Sequence, residues 1–363
     1  MRITDLDTPA IVIDLDIMER NLRAVADYAR AHRLRLRPHT KTHKIPALGR
    51  RQIELGAAGL AVAKSTEAEV MLASGTPDIL VAYPVIGRQK LERLCRVARE
   101  TRLTVSLDSL TAAQPLSDAA REAQVEIGIL AEVDVGLGRV GVQPGGELLA
   151  LVQSLIALPN LQWRGIAFYP GHIRDTSAQG LADLDKLRQT VTRMVEHLTA
   201  AGHPPEIVSG GSTPLLWHSH TIPYLNEIRP GTYIFNDRNT ILSGACTLAD
   251  CAATILTTVV STAPDRMIID GGSKTFSSDR LSGSSEVTFG ELREAPGARF
   301  HKMNEEHGYV DLHDTATQFS VGDRVHVLPN HICVAMNLHE HVYGVRNGEV
   351  IATWRVEGRG KLQ

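Results

Sequence analysis

The chain lacks any stretch of about 18 consecutive apolar residues, so no transmembrane helix is expected. It lacks an excess of either charge. The 38 Lys and Arg against 41 Asp and Glu leave a net charge of −3, which gives no electrostatic reason to expect nucleic acid or an anionic membrane as partner. The opening residues Met1-Arg2-Ile3-Thr4-Asp5-Leu6-Asp7 contain acids and no apolar core, so a secretory signal is not expected there. Cysteine is scarce. Cys95, Cys246, Cys251 and Cys333 show no framework spacing, which suits free thiols in a reducing cytoplasm. Internal repeats and low-complexity tracts are missing. The Walker pattern and the dinucleotide fingerprint are missing too, so neither a nucleoside triphosphate nor NAD is supported.

What is present is ordinary for a soluble globular protein: 43% hydrophobic and 22% charged residues over 363 positions. That length accommodates one large barrel plus a smaller domain. From about residue 34 to 235, short β-rich runs alternate with amphipathic helical stretches. Strands are predicted at 34–40, 58–63, 78–83, 103–108, 126–134, 163–168, 206–210 and 226–229, with helical patterns such as 91–99 and 181–200 between them. Eight such strands argue for a parallel α/β arrangement, and the count favours a closed (β/α)8 TIM-type barrel over an open sheet. The strand and helix around Pro9 to Asp14 precede this series and can belong to the second domain.

After about residue 240 the texture changes. Residues 252–260, 267–270, 324–328 and 342–345 are β-type runs, and Asn347-Gly348 is a strong hairpin signal. No comparable helical pattern follows. The expectation is a barrel domain over 1–240 and a mainly antiparallel β domain over 241–363, with a mobile Gly/Ser-rich loop around Ser277 to Ser285.

Arg37-Pro38-His39-Thr40-Lys41-Thr42-His43-Lys44 stands where the first barrel strand hands over to a loop. A lysine there can carry a Schiff base to a carbonyl cofactor, because its amine can be desolvated and its pKa lowered. A merely solvated basic loop is the alternative. In a barrel the active site forms at the C-terminal ends of the strands. Lys41, the segment Glu132 to Arg139, Tyr169 with His172, Ser209 to Thr213, and Glu227 to Tyr233 all fall at such ends.

Ser209-Gly210-Gly211-Ser212-Thr213 suits phosphate. Its glycines let backbone N–H groups approach an anion, and Ser212 and Thr213 add hydroxyl donors. Gly231 and Thr232 fall in the loop after the eighth strand, the second place where barrels hold phosphate. An ordinary Gly/Ser turn is the other reading. Arg139 and Arg229 can each hydrogen-bond a cofactor ring or a carboxylate, or form structural ion pairs. In Pro329-Asn330-His331-Ile332-Cys333, His331 and Cys333 would share one face of a strand. An imidazole with a thiolate suits Zn²⁺, with Mn²⁺ or Mg²⁺ also allowed, and two ligands leave room for water and substrate. A chance H-x-C in a β domain competes with this reading.

Together these residues resemble the fold-type III pyridoxal 5'-phosphate (PLP) enzymes related to alanine racemase, and more closely the branch containing D-threonine aldolase and D-serine dehydratase. The resemblance implies a cofactor Schiff base on Lys41, Arg139 near the cofactor phenolic oxygen, and Tyr169 against the pyridine ring. It implies phosphate binding by Ser212, Thr213, Arg229, Gly231 and Thr232, and a metal on His331 and Cys333. Asp270 to Lys274 and Ser278-Asp279 are similar to a further motif of the β domain. Aldolases of the branch typically carry His-x-Asp at the metal position and dehydratases His-x-Cys, so Cys333 tilts the reading toward dehydration.

The expected activity is therefore a PLP- and divalent-metal-dependent lyase acting on a small β-hydroxy-D-amino acid, a dehydratase of the D-serine or D-threo-3-hydroxyaspartate type. Retro-aldol cleavage to glycine and an aldehyde is the alternative. An amino-acid racemase and a non-enzymatic PLP-binding protein are further ones. The D-configuration and a homodimer are implied by the resemblance alone.

Overall fold

The eight strands expected from the sequence form, most of them shorter than their sequence patterns. The computed structural model of the chain describes every residue except Ser284 and Glu286. β1 (Ala10–Asp14) and α1 (Leu15–Ala31) come first. The next strands are β2 (Arg35–Leu36), β3 (Leu60–Val62), β4 (Asp78–Val81), β5 (Arg102–Leu107), β6 (Ile127–Val133), β7 (Leu161–Phe168), β8 (Ile207–Gly210) and β9 (Glu227–Ile228). Between β2 and β8 they alternate with α2 (Pro46–Glu54), α3 (Ser65–Met71), α4 (Arg88–Glu100), α5 (Leu110–Ala123), α6 (Gly146–Ile156) and α7 (Ala178–Ala200). A 3₁₀ turn, Leu216–Thr221, replaces a helix between β8 and β9.

Ala24–Lys41, Pro46–Gly231 and Gly360–Gln363 make one compact unit. Its eight strands run in the order β2-β9-β8-β7-β6-β5-β4-β3, and every pairing is parallel. A parallel bridge between His39 and Ala61 joins the two ends. The N–H groups of Ala58 and Ala61 donate to Leu36 O and Pro38 O, each at 2.8 Å, so the ring closes into the expected barrel. β2 is only two residues long: its ladder with β9 ends where Pro230 has no N–H to return, although His39 N still reaches Pro230 O at 2.9 Å. β6 is buried along its whole length, as a barrel strand covered on both faces must be. Ala61, Leu80, Leu130, Ala167 and Ile207, from five strands, pack as one interior cluster. Gly59 lets β3 start close to β4, since a Cβ there would stand 2.5 Å from Asp78 O and 2.6 Å from Arg37 Nη1. Two of the helices start on sequence-local caps: Ser109 accepts from Ala112 N before α5 and Ser177 from Gly180 N before α7.

Met1–Arg23, Thr42–Ile45 and Thr232–Arg359 make the second unit. Its elements are α8 (Arg238–Leu242), β10 (Ala253–Ala263), β11 (Arg266–Ile269), α9 (Ser273–Phe276), β12 (Gly290–Leu292), β13 (Arg299–Met303), β14 (Gly308–Asp311), β15 (Arg324–Pro329), α10 (Ile332–Leu338), β16 (His341–Arg346) and β17 (Glu349–Arg355). The sheet runs β13-β14-β11-β10-β1-β16-β17, with β15 bridging β10 and β12. β1 pairs parallel with β16, and the other pairs are antiparallel. The hairpin forms as expected, with Asn347 at φ 51° and Gly348 at φ 76°. Ile11, Ile13, Ile255, Val259, Ile269, Val327 and Val342 build its buried core.

The mainly antiparallel β domain expected after about residue 240 forms, with three short helices that left no pattern in the sequence. α8, α9 and α10 are there, each of one or two turns, too short to write a helical period into the sequence. Within Ser277 to Ser285 the described residues after Phe276 form neither helix nor strand, and Ser284 lies outside the described residues.

Candidate active site

After β2 the chain continues irregularly along the barrel. Arg37 N donates to Ile228 O at 2.9 Å, His39 N to Pro230 O at 2.9 Å and Thr40 N to Ala61 O at 2.8 Å. Lys41 follows at once, exposed, with its N–H 3.4 Å from His39 Nδ1. The segment begins on a buried charge. Arg37 is 1% exposed; its Nη1 donates to Asp78 Oδ1 at 2.8 Å, and its Nε lies 2.9 Å from Glu227 Oε2, off the line of a good hydrogen bond. Burial alone would push this guanidinium down, but Glu227 and Asp78 outweigh it and hold it above its ordinary value.

The network runs on across the strand ends. Ser209 Oγ donates to Glu227 Oε1 at 2.7 Å, and Arg229 donates to Ser209 Oγ and, at 3.0 Å, to Phe168 O. Arg229 is thus buried and engaged with the barrel wall, and burial lowers its pKa against the pull of Glu132 and Glu227. Glu132, at the end of β6, accepts from the Ser106 hydroxyl. Burial raises its carboxyl above the usual range, with Arg229 and Ser106 opposing.

The loop after β6 is pinned by Asp134, whose Oδ1 accepts from Gly136 N at 2.9 Å and Gly138 N at 3.1 Å. Burial would raise the Asp134 carboxyl, but these backbone donors outweigh it and hold it below its ordinary value. Arg139 emerges from this loop with its guanidinium carbon 4.9 Å from the Tyr169 ring centre, in cation–π register. Glu132, Asp134, Leu137, Arg139 and Tyr169 line one depression.

Ser212 and Thr213 are buried in the turn after β8, next to Gly211 at φ 85°. Among the described residues no acceptor meets the backbone N–H of Ser212 or Thr213. Two buried donors without an acceptor, with hydroxyls beside them, fit a phosphate group. Gly231 closes the long Pro46–Gly231 segment of the barrel unit, and Thr232 opens the 3₁₀ turn Thr232–Ile234 of the other unit.

His331 and Cys333 are placed differently from the strand expected for them. β15 ends at Pro329; His331 is the N-cap of α10, and Cys333 lies in that helix's first turn. The H-x-C spacing brings the side chains together at a helix start rather than on a strand face. The Thr42 and Thr232 hydroxyls lie 3.2 and 3.6 Å from Cys333 Sγ. The Cys333 charge raises His331 to about 9 against burial. Burial pushes the Cys333 thiol up, but His331 outweighs it and the thiol is lowered. Each group thus favours the charged form of the other, and a thiolate beside an imidazole is the donor set a borderline-soft cation takes. Among the described residues no group of three or more His, Cys, Asp or Glu is arranged to hold a metal. The pair thus offers two soft-to-borderline donors and leaves the other positions open, as a catalytic rather than a structural site requires.

Sequence reading missed Asp237. Its carboxylate is fully buried, accepts from Thr240 N at 2.9 Å and Thr240 Oγ1 at 2.8 Å, and accepts from Ile332 N at 3.1 Å. The Asp-x-x-Thr spacing is a helix-cap signal that could have found its first role. In the DGGSK segment, Asp270 accepts from Thr258 N at 2.9 Å and from the Thr8 hydroxyl at 2.5 Å, which is a structural tie.

Residues 13–239 match the alanine racemase N-terminal domain family, and 252–345 match a serine dehydratase domain. The chain belongs to the fold-type III PLP enzymes, in the D-threonine aldolase and D-serine dehydratase family. It is 34% identical over 373 aligned residues to a 3-hydroxy-D-aspartate aldolase of Paracoccus denitrificans, covering 99% of this chain and 93% of that protein. The D-threonine aldolase of Filomicrobium marinum superposes with a TM-score of 0.93 at 29% identity, covering 100% of this chain and 98% of that one. The D-threo-3-hydroxyaspartate dehydratase of Delftia sp. HT23 superposes with a TM-score of 0.90 at 30% identity over 98% of each chain. A cysteine-to-alanine mutant of a D-threo-3-hydroxyaspartate dehydratase is known in a metal-free form.

Proposed function

We propose that this chain is a PLP- and divalent-metal-dependent lyase for β-hydroxy-D-amino acids, and that it dehydrates them to a keto acid and ammonia. The observation that carries the dehydratase reading is that a cysteine, Cys333, and not an aspartate, stands with His331 at the start of α10. Lys41 would hold the cofactor aldehyde, Ser212 and Thr213 its phosphate together with Gly231 and Thr232, and Arg139 and Tyr169 its ring. Arg229 acts from behind, orienting Ser209 and the strand end. PLP supplies an electron sink for the pair left at Cα when a bond there breaks. Lys41 Nζ, free of the cofactor once substrate is bound, takes the Cα proton. His331 and Cys333 would hold a cation, zinc by donor softness, that supplies Lewis acidity for a poor leaving group.

Retro-aldol cleavage is the second reading, favoured by the 34% identity to an aldolase. A cytoplasmic homodimer fits four free cysteines and the family pattern. Incubation with D-serine, D-threonine and D-threo-3-hydroxyaspartate, with and without a chelator, tests the assignment. Keto acid and ammonia, lost on chelation and restored by metal, are expected. Glycine and an aldehyde would make it an aldolase. Racemised amino acid with full activity after chelation would overturn both the lyase and the metal.

A further inference from the structure

We propose that Asp237 is a positioning residue for the His331–Cys333 pair, holding the turn that carries both donors in place through the Ile332 N–H. The inference rests on the metal reading given above.

Three consecutive residues grip the segment around His331. Asp237 Oδ2 accepts from Ile332 N at 3.1 Å, Arg238 Nη1 donates to Asn330 Oδ1 at 2.8 Å, and Asn239 N donates to Asn330 O at 3.2 Å. His331 lies between the two gripped residues, and Ile332 lies between the two donors. The clamp is itself anchored. Asp237 Oδ1 caps α8 through Thr240 N and Thr240 Oγ1, and Arg238 Nη1 also donates to Thr288 Oγ1 at 2.7 Å. Asn330 Nδ2 in turn donates to Asp279 O at 3.1 Å and to Thr288 O.

Two observations assign this clamp to the metal donors rather than to general stability. Asp237 spends one oxygen on its own helix and the other on the N1 amide of α10, the group lying between the two donors. And among the described residues no third His, Cys, Asp or Glu joins the pair to fix its geometry, so the backbone turn that carries both side chains has a direct hold on their separation. A loosened turn would change that separation directly.

The two oxygens can be separated by mutation. In Asp237→Asn the remaining oxygen still caps α8, while the amide presents its own N–H to Ile332 N–H. Ile332→Pro deletes the same hydrogen bond from the other side. Proline suits the first position of a helix, and His331, at φ −139° and ψ 103°, already has the extended backbone a residue before proline needs. Ile332→Ala trims the side chain, keeps the N–H and serves as control.

The PLP-loaded enzyme is stripped of metal and titrated with Co²⁺, reading the thiolate-to-cobalt absorption band, with cofactor absorbance and circular dichroism as checks on the fold. Asp237→Asn and Ile332→Pro should each weaken Co²⁺ binding by about 10- to 100-fold, while Ile332→Ala binds as the parent does. If the parent gives no thiolate band, the metal reading falls and takes this inference with it. If the parent binds and both clamp variants bind within about twofold of it, Asp237 has no positioning role. Should Asp237→Asn fail to fold, the comparison of Ile332→Pro with Ile332→Ala decides alone.

Discussion

Replacing Arg37 by methionine strands two carboxylates in the barrel wall. Asp78 is 2% exposed and Glu227 is fully buried, so water cannot replace the lost guanidinium. Glu227 keeps the Ser209 hydroxyl at 2.7 Å and a more distant Arg35 Nε at 3.6 Å, whereas Asp78 Oδ1 loses its 2.8 Å partner. Removing one partner of a buried ion pair costs about 3–5 kcal/mol, and with two acids left behind the upper end of that range applies. Such a loss is a large share of the roughly 5–15 kcal/mol by which domains are stable. Urea unfolding followed by circular dichroism reads it as a shifted midpoint. The companion variant, Arg37→Met with Asp78→Asn and Glu227→Gln, removes the stranded charges and should recover more than half of the loss, because neutral replacement of a whole buried ionic cluster is close to neutral in energy. A single substitution costing under about 1 kcal/mol, or a triple variant no better than the single, would refute the picture of a desolvated charge cluster.

Three further outcomes follow from the barrel. Borohydride treatment of cofactor-saturated protein should label a peptide containing Lys41, and Lys41→Ala should lose the label together with about a hundred- to ten-thousand-fold in turnover; a label elsewhere would remove Lys41 from its role. Because burial raises the Glu132 carboxyl, the native chain binds more protons than the unfolded one above the ordinary Glu value, and stability falls as pH rises through that window. Glu132→Gln should therefore gain melting temperature relative to the parent as pH climbs, with the smallest difference in acid; a pH-independent difference would contradict this. Gly59→Ala should cost about 1–3 kcal/mol, since its methyl meets Asp78 O at 2.5 Å; an unchanged unfolding midpoint would mean the backbone there is free to move.

The barrel was legible because most of its β runs are apolar and most are followed by an amphipathic stretch, both local patterns. The Asn347-Gly348 hairpin was legible because two residues with positive φ leave a sequence mark. The H-x-C spacing suggested a shared strand face, and the structure puts both residues at a helix start. The strand pattern of 324–328 was extended through Pro329, where the ladder ends. What stops the strand and starts the helix is in part Asp237, distant in sequence and invisible to any periodicity. A solvated basic loop is excluded for Arg37, which is among the most deeply buried charges because its partners Asp78 and Glu227 arrive from other strands. The buried carboxylates Glu132 and Glu227 escaped for the same reason: a charge inside a barrel is explained only by the arginine it meets there.

β1 has a consequence for how the molecule comes into being. Ala10 pairs with Leu256 and Ile11 with Val342, so β1 waits until the chain has been made past Leu256, and then past Val342, before each neighbour exists. The barrel's strands pair mostly with the next one along, and closing such short loops is entropically cheap. During synthesis the ribosome therefore releases an unpaired apolar ribbon, Ala10 to Ile13, long before its sheet can receive it. Nascent chains should be most prone to misassociation at that stage, and a chaperone that shields this ribbon would speed maturation more than one acting on the barrel.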